Sequence, residues 1–181
     1  LRAGGFSPYQ THLAYHALEC HIVGFSLWIT GLNLPGDLAA LAAEVLAALK
    51  PGGWIVLEEP DFSASRGIAG TAAQLAAMRH INQAIHRMYE SRGMDYALGL
   101  KLLPCLQMRG FCDLSMENDA PVSAGGSGLA KVMAMSAQQL RDKYLATGVV
   151  SEADLQHYDE CAEDPQSRAV YYATVAVAGR K

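Results

Sequence analysis

At 181 residues, 51% of them hydrophobic, the chain has enough apolar surface for one cored domain and is too short for two of ordinary size. Its 14 basic and 18 acidic residues give a formal charge of -4 and are scattered without a block of like sign, which argues against a nucleic-acid-binding surface. Cys20, Cys105, Cys112 and Cys161 form no C-x-x-C pair, so buried thiols in a reducing cytosol are favoured over a metal or disulfide framework.

No basic region followed by a short apolar core opens the sequence, so no signal peptide is expected and the location predicted is cytoplasmic. Ser7-Pro8-Tyr9-Gln10 has the capping residues of a helix start. The helix predicted to follow, to about Trp28, carries Leu13, Ala17, Cys20, Val23, Gly24 and Leu27 at three- and four-residue spacing. His16, Glu19, His21 and Asn33 interrupt this apolar stretch, which therefore reads as a buried helix and not as a membrane span. Gly31 to Gly36 stops it, and residues 1–36 are expected to form a helical N-terminal segment ahead of a domain at 37–181.

Asp37 is a cap for a second helix, with Leu38, Leu41, Val45, Leu46 and Leu49 on one face. Lys50-Pro51-Gly52-Gly53 ends it, and Trp54-Ile55-Val56-Leu57 follows as a continuous apolar run, the pattern of a strand buried on both faces. Helix, tight turn and buried strand together indicate an α/β crossover. Glu58 to Ser63 is expected as a polar loop, and Thr71-x-x-Gln74 is a capping box for a helix reaching about Ser91, closed by Gly93. Its apolar face is Leu75, Met78, Ile81, Ile85 and Met88. A helix near Tyr96–Arg109, strand character from Cys112 to Val122, a glycine-rich connector at 123–128, helices at 129–135 and 136–147, the second capped by Ser136, and a short helix from Ser151 complete the prediction before a terminal strand at 170–178.

Ligands of wound α/β sheets bind beyond the carboxyl ends of parallel strands, which places Glu58, Glu59 and Asp61 best among the polar groups. A carboxylate there can orient an amine or hydroxyl or take its proton. The competing expectation is a solvated acidic loop. His12 and His16 are four apart but lack an H-E-x-x-H signature, and His80 and His86 are six apart and do not share a face, so partly exposed helix histidines and no metal are expected. No serine has a nucleophile-elbow context, and Gly125, Gly126 and Gly128 carry no Gly-Lys-Ser/Thr.

The stretch Leu46-Ala47-Ala48-Leu49-Lys50-Pro51-Gly52-Gly53-Trp54-Ile55-Val56-Leu57-Glu58-Glu59 resembles the L-x-x-L-K-P-G-G motif of class I S-adenosylmethionine-dependent methyltransferases, where it forms the helix, turn and fifth strand of the sheet. The Glu-Glu-Pro-Asp-Phe segment, the Gln138 to Glu152 region and the terminal strand are similar to those of bacterial small-molecule members, so the resemblance spans roughly 37–181. It implies a partial Rossmann-like methyltransferase sheet with antiparallel C-terminal edge strands near Asp113–Val122 and Ala169–Ala178, preceded by the helical segment. It implies S-adenosylmethionine as cofactor and a small-molecule acceptor, with Glu59 and Asp61 as catalytic residues and Phe62, Arg79, His86 and Tyr89 lining the substrate wall. No nucleic-acid or membrane partner is implied, and an unpaired sheet edge favours a homo-oligomer. The family's glycine-rich cofactor loop and its ribose-binding acidic residue have no counterpart here. Residues 1–34, with His16-Ala17-Leu18 and His21 to Trp28, resemble instead a ligand-domain helix of tetracycline-repressor-type regulators, which carries the alternative of a non-enzymatic effector-binding or dimerisation domain.

Overall fold

The computed structural model describes residues Leu46–Lys181, within a compact unit spanning Asp37–Lys181. The expectations for the first two helices, for His12, His16 and Cys20, and for the Asp37 cap lie outside these residues.

The Lys50–Gly53 reversal forms as the sequence demands. Gly52 adopts φ +77, a conformation costly for any residue with a Cβ, and the Gly53 amide donates to the Lys50 carbonyl at 2.8 Å. The turn is also tied to the far end of the chain: Gly52 N–H donates to the Lys181 carbonyl at 3.0 Å and Lys181 N–H to the Gly53 carbonyl at 2.9 Å.

Strand β1, Trp54–Asp61, is twice the length predicted and absorbs the expected acidic loop. It pairs antiparallel with β6, Ala173–Arg180, from Trp54 opposite Arg180 to Asp61 opposite Ala173, and β6 pairs antiparallel with β3, Cys112–Asp119. The sheet order is β1-β6-β3, so β1 and β3 run the same way on either side of a reversed middle strand. The antiparallel arrangement expected for the two later strands is present, but β6 lies between its neighbours and β3 alone of the pair is at an edge. Nor is β1 buried on both faces: Trp54 and Val56 are 56% and 69% exposed while Ile55 is buried. The apolar run reads as doubly buried, yet only one face meets a core, formed by Ile55, Val175 and Val177 with Leu102, Leu106 and Phe111.

Beyond β1, a 3-10 turn at Phe62–Ala64 leads to β2, Arg66–Ala69, which joins a second small antiparallel sheet of order β2-β5-β4 with Arg168–Val170 (β5) and Ser123–Ala124 (β4). The sequence reading missed this sheet because its strands are two to four residues long. Helix α1, Ala72–Glu90, has the predicted capping box, with Thr71 N–H donating to Gln74 Oε1 at 2.8 Å and Gln74 N–H to Thr71 Oγ1 at 3.2 Å. Gly93, φ +66, follows it. A 3-10 turn at Leu98–Lys101 and helix α2, Leu102–Met108, fill the Tyr96–Arg109 region; Pro104 lies in the first turn, where no amide donor is required.

Helix α3, Gly128–Gln139, runs through Ser136, which is therefore not a cap; Ser127 is, and the break falls at Leu140 before α4, Arg141–Ala146. The glycine connector is fixed rather than loose: a Cβ on Gly125 would come within 2.1 Å of the Asp164 carbonyl oxygen, and Gly126 N–H donates to the Ala162 carbonyl at 2.7 Å. Helix α5, Glu152–Glu163, starts on a Ser151/Asp154 capping box and packs on α1, where His80 Nδ1 lies 2.7 Å from Asp154 Oδ1. Buried Met78, Ile81, Ile85, Leu155, Tyr158 and Cys161 form the second core. The predicted terminal strand is in fact two, because the chain changes sheets at Tyr171-Tyr172.

Each capping box satisfies amides that the helix leaves without partners, so Thr71→Ala and Ser151→Ala are each expected to lower unfolding free energy by about 1 kcal/mol, additively, in urea titrations followed by circular dichroism.

Candidate functional site

Strand alternation sorts the side chains of β1. Ile55, Leu57, Glu59 and Asp61 share the covered face and Trp54, Val56 and Glu58 the other, so the covered face turns from apolar to acidic toward its carboxyl end. Opposite Glu59 and Asp61 on β6 are Val175 and Ala173, both buried. Burial pushes the Glu59 carboxyl above its ordinary range. Asp61 is 1% exposed. Its Oδ1 accepts from the Ser63 amide at 2.8 Å and from the Ser63 hydroxyl, capping the 3-10 turn, while its Oδ2 is buried with no hydrogen-bond partner. Gly99 packs against Asp61 and Val175: a Cβ there would be 3.4 Å from Asp61 Cβ and 2.9 Å from Val175.

The neighbouring residue starts an aromatic cluster. Phe62 is buried, its ring 5.9 Å from that of Tyr89 and 5.8 Å from that of Tyr172, and its amide donates to the Tyr96 carbonyl at 3.1 Å. Tyr96 in turn meets His86, ring centres 4.2 Å apart, and His86 Nε2 is 3.4 Å from Glu90 Oε1. Burial, and then the Glu58 charge, raise the Tyr172 hydroxyl; burial, and then Tyr89, raise that of Tyr144. Both phenols are held neutral. Asn82 shares an α1 stripe with His86 and Tyr89, at spacings of four and three, and its Oδ1 is buried without a partner.

Of the residues chosen from sequence, Phe62 meets Tyr89 and is joined to His86 through Tyr96, while Asp61, which precedes Phe62, packs against Gly99, and Glu59 lies two residues back on the same strand face. Arg79 is exposed and two helical turns from His86, about 10 Å along the axis. Asn82, Tyr96, Gly99 and Tyr172 were not anticipated. The α1 stripe could have yielded Asn82, since it is the polar residue four before His86 and seven before Tyr89; Tyr96 and Tyr172 reach the cluster through long-range folding that no local pattern encodes. His80 and His86 are partly exposed helix histidines, as expected, and each has a carboxylate partner.

S-adenosylmethionine asks for a glycine-rich turn between a parallel strand and a helix. Among the described residues, Gly70 and the Gly125-Gly126 pair link a strand directly to a capped helix, and a Cβ on Gly70 would be 2.8 Å from Gln74 Oε1, because the capping box fills that space. The Gly125-Gly126 pair is closed against α5. The described residues do not fit the cofactor. No group of three or more metal-ligating side chains occurs among them, and none of their helices is long and apolar enough to cross a membrane. In a polar groove over α5, Arg141 pairs with Glu152 and Gln138 donates to Asp159 Oδ2, while Asp159 Oδ1 is buried without a partner.

No protein-family model matches the chain, and no curated protein matches it. Among solved structures it is similar to the phosphoethanolamine N-methyltransferase 2 of Haemonchus contortus in complex with phosphomonomethylethanolamine and S-adenosylhomocysteine, at 14% identity and a TM-score of 0.40, over 81% of this chain and 30% of that one. The chain spans under a third of that enzyme, and a likeness of this depth carries no argument about activity.

The raised Glu59 carboxyl has a signed consequence. Between its ordinary value and its folded value the native state holds a proton that the unfolded chain has lost, so stability falls as pH rises through that window. Glu59→Gln is expected to flatten this fall and to raise stability at neutral pH, read from urea midpoints between pH 4 and 8.

Proposed function

We propose that the chain is the acceptor-side half of an S-adenosylmethionine-dependent methyltransferase acting on a small molecule, with the cofactor held by elements outside Leu46–Lys181. The observation that carries this reading is the carboxyl end of β1, where a buried carboxylate with one uncommitted oxygen is followed directly by Phe62, the first residue of an aromatic cluster. The antiparallel pairing of β6 with β1 and with β3 supports it, since the resemblance implies antiparallel C-terminal strands beside the strand that follows Lys50–Gly53.

In this reading the residues have separate tasks. Asp61, fixed by Ser63 and packed against Gly99, orients the acceptor amine or hydroxyl. Glu59, made more basic by burial, takes the proton that the acceptor gives up, and Phe62, Tyr89 and Tyr172 exclude water around the reacting atom. The cofactor, when bound, supplies the methyl group. A non-enzymatic effector domain would use the same aromatic cluster to bind without transfer, so the assay separates the two.

The test is incubation of the chain with methyl-labelled S-adenosylmethionine and a panel of small amines, alcohols and phenols. Label is expected in a low-molecular-weight product, with Asp61→Asn lowering kcat/KM about tenfold or more. A folded protein that transfers no label and fails to bind S-adenosylhomocysteine at millimolar concentration overturns the reading.

A further inference from the structure

The β1-β6-β3 sheet has a second face. Leu102, Leu106 and Phe111 pack on the face of Ile55, Val175 and Val177. On the other, the register sets side chains in rows across the strands, because residues opposite one another in an antiparallel pair point the same way. Val56, Ala178 and Ser115 make the central row; Trp54 and Arg180 lie to one side of it, and Glu58, Ala176 and Glu117 to the other. Exposure follows this alternation. Trp54, Val56, Glu58, Ser115 and Glu117 are exposed, while Ala176, Ala178 and Arg180 are partly exposed between the buried Val175, Val177 and Gly179. A tryptophan and a valine beside a floor of alanines form a contiguous apolar patch with a charged rim, the pattern of an interaction surface.

The two ends of the patch differ in charge. Arg180 stands at the Trp54 end, where its Nε donates to Asp113 Oδ2 at 2.5 Å and its guanidinium carries further N–H groups. Glu58 and Glu117 flank Ala176 at the other end. Two copies can meet face to face by either of two two-fold axes. With the axis along the strands, Glu58 of each copy lies over Glu117 of the other, like charge on like. With the axis across the strands, each Arg180 lies over Ala176 of the other copy, between its two carboxylates. Twisted sheets pack with their strands about 30° apart, which moves Arg180 toward one carboxylate or the other and not away from both.

We propose that this face binds a second copy of the chain by the axis across the strands, with Val56 against Val56 at the axis and each Arg180 set between Glu58 and Glu117 of the other copy. The face is opposite to that of Glu59 and Asp61, so the pairing is independent of the methyltransferase reading. Three strands about 4.8 Å apart and eight residues of about 3.3 Å each give roughly 14 by 26 Å per face, or about 700 Å² of flat area over two copies. That is the range of weak, reversible interfaces, so the dimer dissociates on dilution.

Sedimentation velocity on the full chain, from about 1 μM to about 1 mM, reads the association. The wild type is expected to dimerise reversibly, and less so at high salt, because Arg180 and its partners sit at the rim. A residue on a two-fold axis meets its own copy. Val56→Glu and Val56→Lys therefore each set like charges against one another and are expected to weaken the dimer about tenfold or more, while an equimolar mixture of the two variants recovers it as a heterodimer. Glu117→Arg is expected to weaken it severalfold. Circular dichroism checks that each variant is folded; should a Val56 variant fail, Glu117→Arg and the salt dependence still decide. A chain that stays monomeric at every concentration, as when something else covers the face, overturns the proposal. So does a dimer that the Val56 and Glu117 substitutions leave intact, or a mixture of the Val56 variants that does not associate.

Discussion

Everything described here hangs on β6. Val175 and Val177 are fully buried, and their strand is hydrogen-bonded on one side to β1 and on the other to β3, segments far apart in the sequence. An antiparallel partner on each edge satisfies the backbone groups of β6, and its valines give α2 a face to pack against. Without β6 the described residues would leave β1 and β3 without a shared neighbour. The same strand fixes the register that sends Glu59 and Asp61 to the covered face, since a slip of one residue would exchange them with Glu58 and Pro60.

The acidic end of β1 is thus a product of two requirements that conflict. Packing wants apolar side chains under α2, and Ile55 and Leu57 meet that demand; two residues further on, the same face carries carboxylates. Glu59 bears the strain as a raised proton affinity, and Asp61 relieves half of its own by capping the turn through Ser63. A carboxylate placed so is poor design for stability alone. Local departures of this kind concentrate where a protein meets a ligand.

What could be read from the sequence was what local chemistry decides. Thr71 and Gln74, or Ser151 and Asp154, announce helix starts because each pair satisfies its own amides within four residues, and Lys50-Pro51-Gly52-Gly53 announces a reversal because Gly52 must take a positive φ. The extent of β1 could not be read, since Glu58–Asp61 are held in a strand by residues 173 to 176 and by nothing nearby. Ser136 misled for the converse reason: a capping pattern also occurs inside α3, where Ser127 had already supplied the start. The site followed the same division. Alternation and position led to Asp61 and Phe62, but the rings that surround Phe62 arrive from α1 and from the Tyr171-Tyr172 crossing, each placed by tertiary packing.

That crossing has a temporal side. A three-residue strand in one sheet and an eight-residue strand in the other are separated by two tyrosines, so one short segment completes both sheets. Trp54 finds its partner Arg180 only after roughly 125 further residues have been made, which at about 5–20 residues per second is of the order of ten seconds on the ribosome. Through that interval the apolar start of β1 lacks its β6 partner. The strand that relieves the exposure of β1 is thus made long after β1 itself.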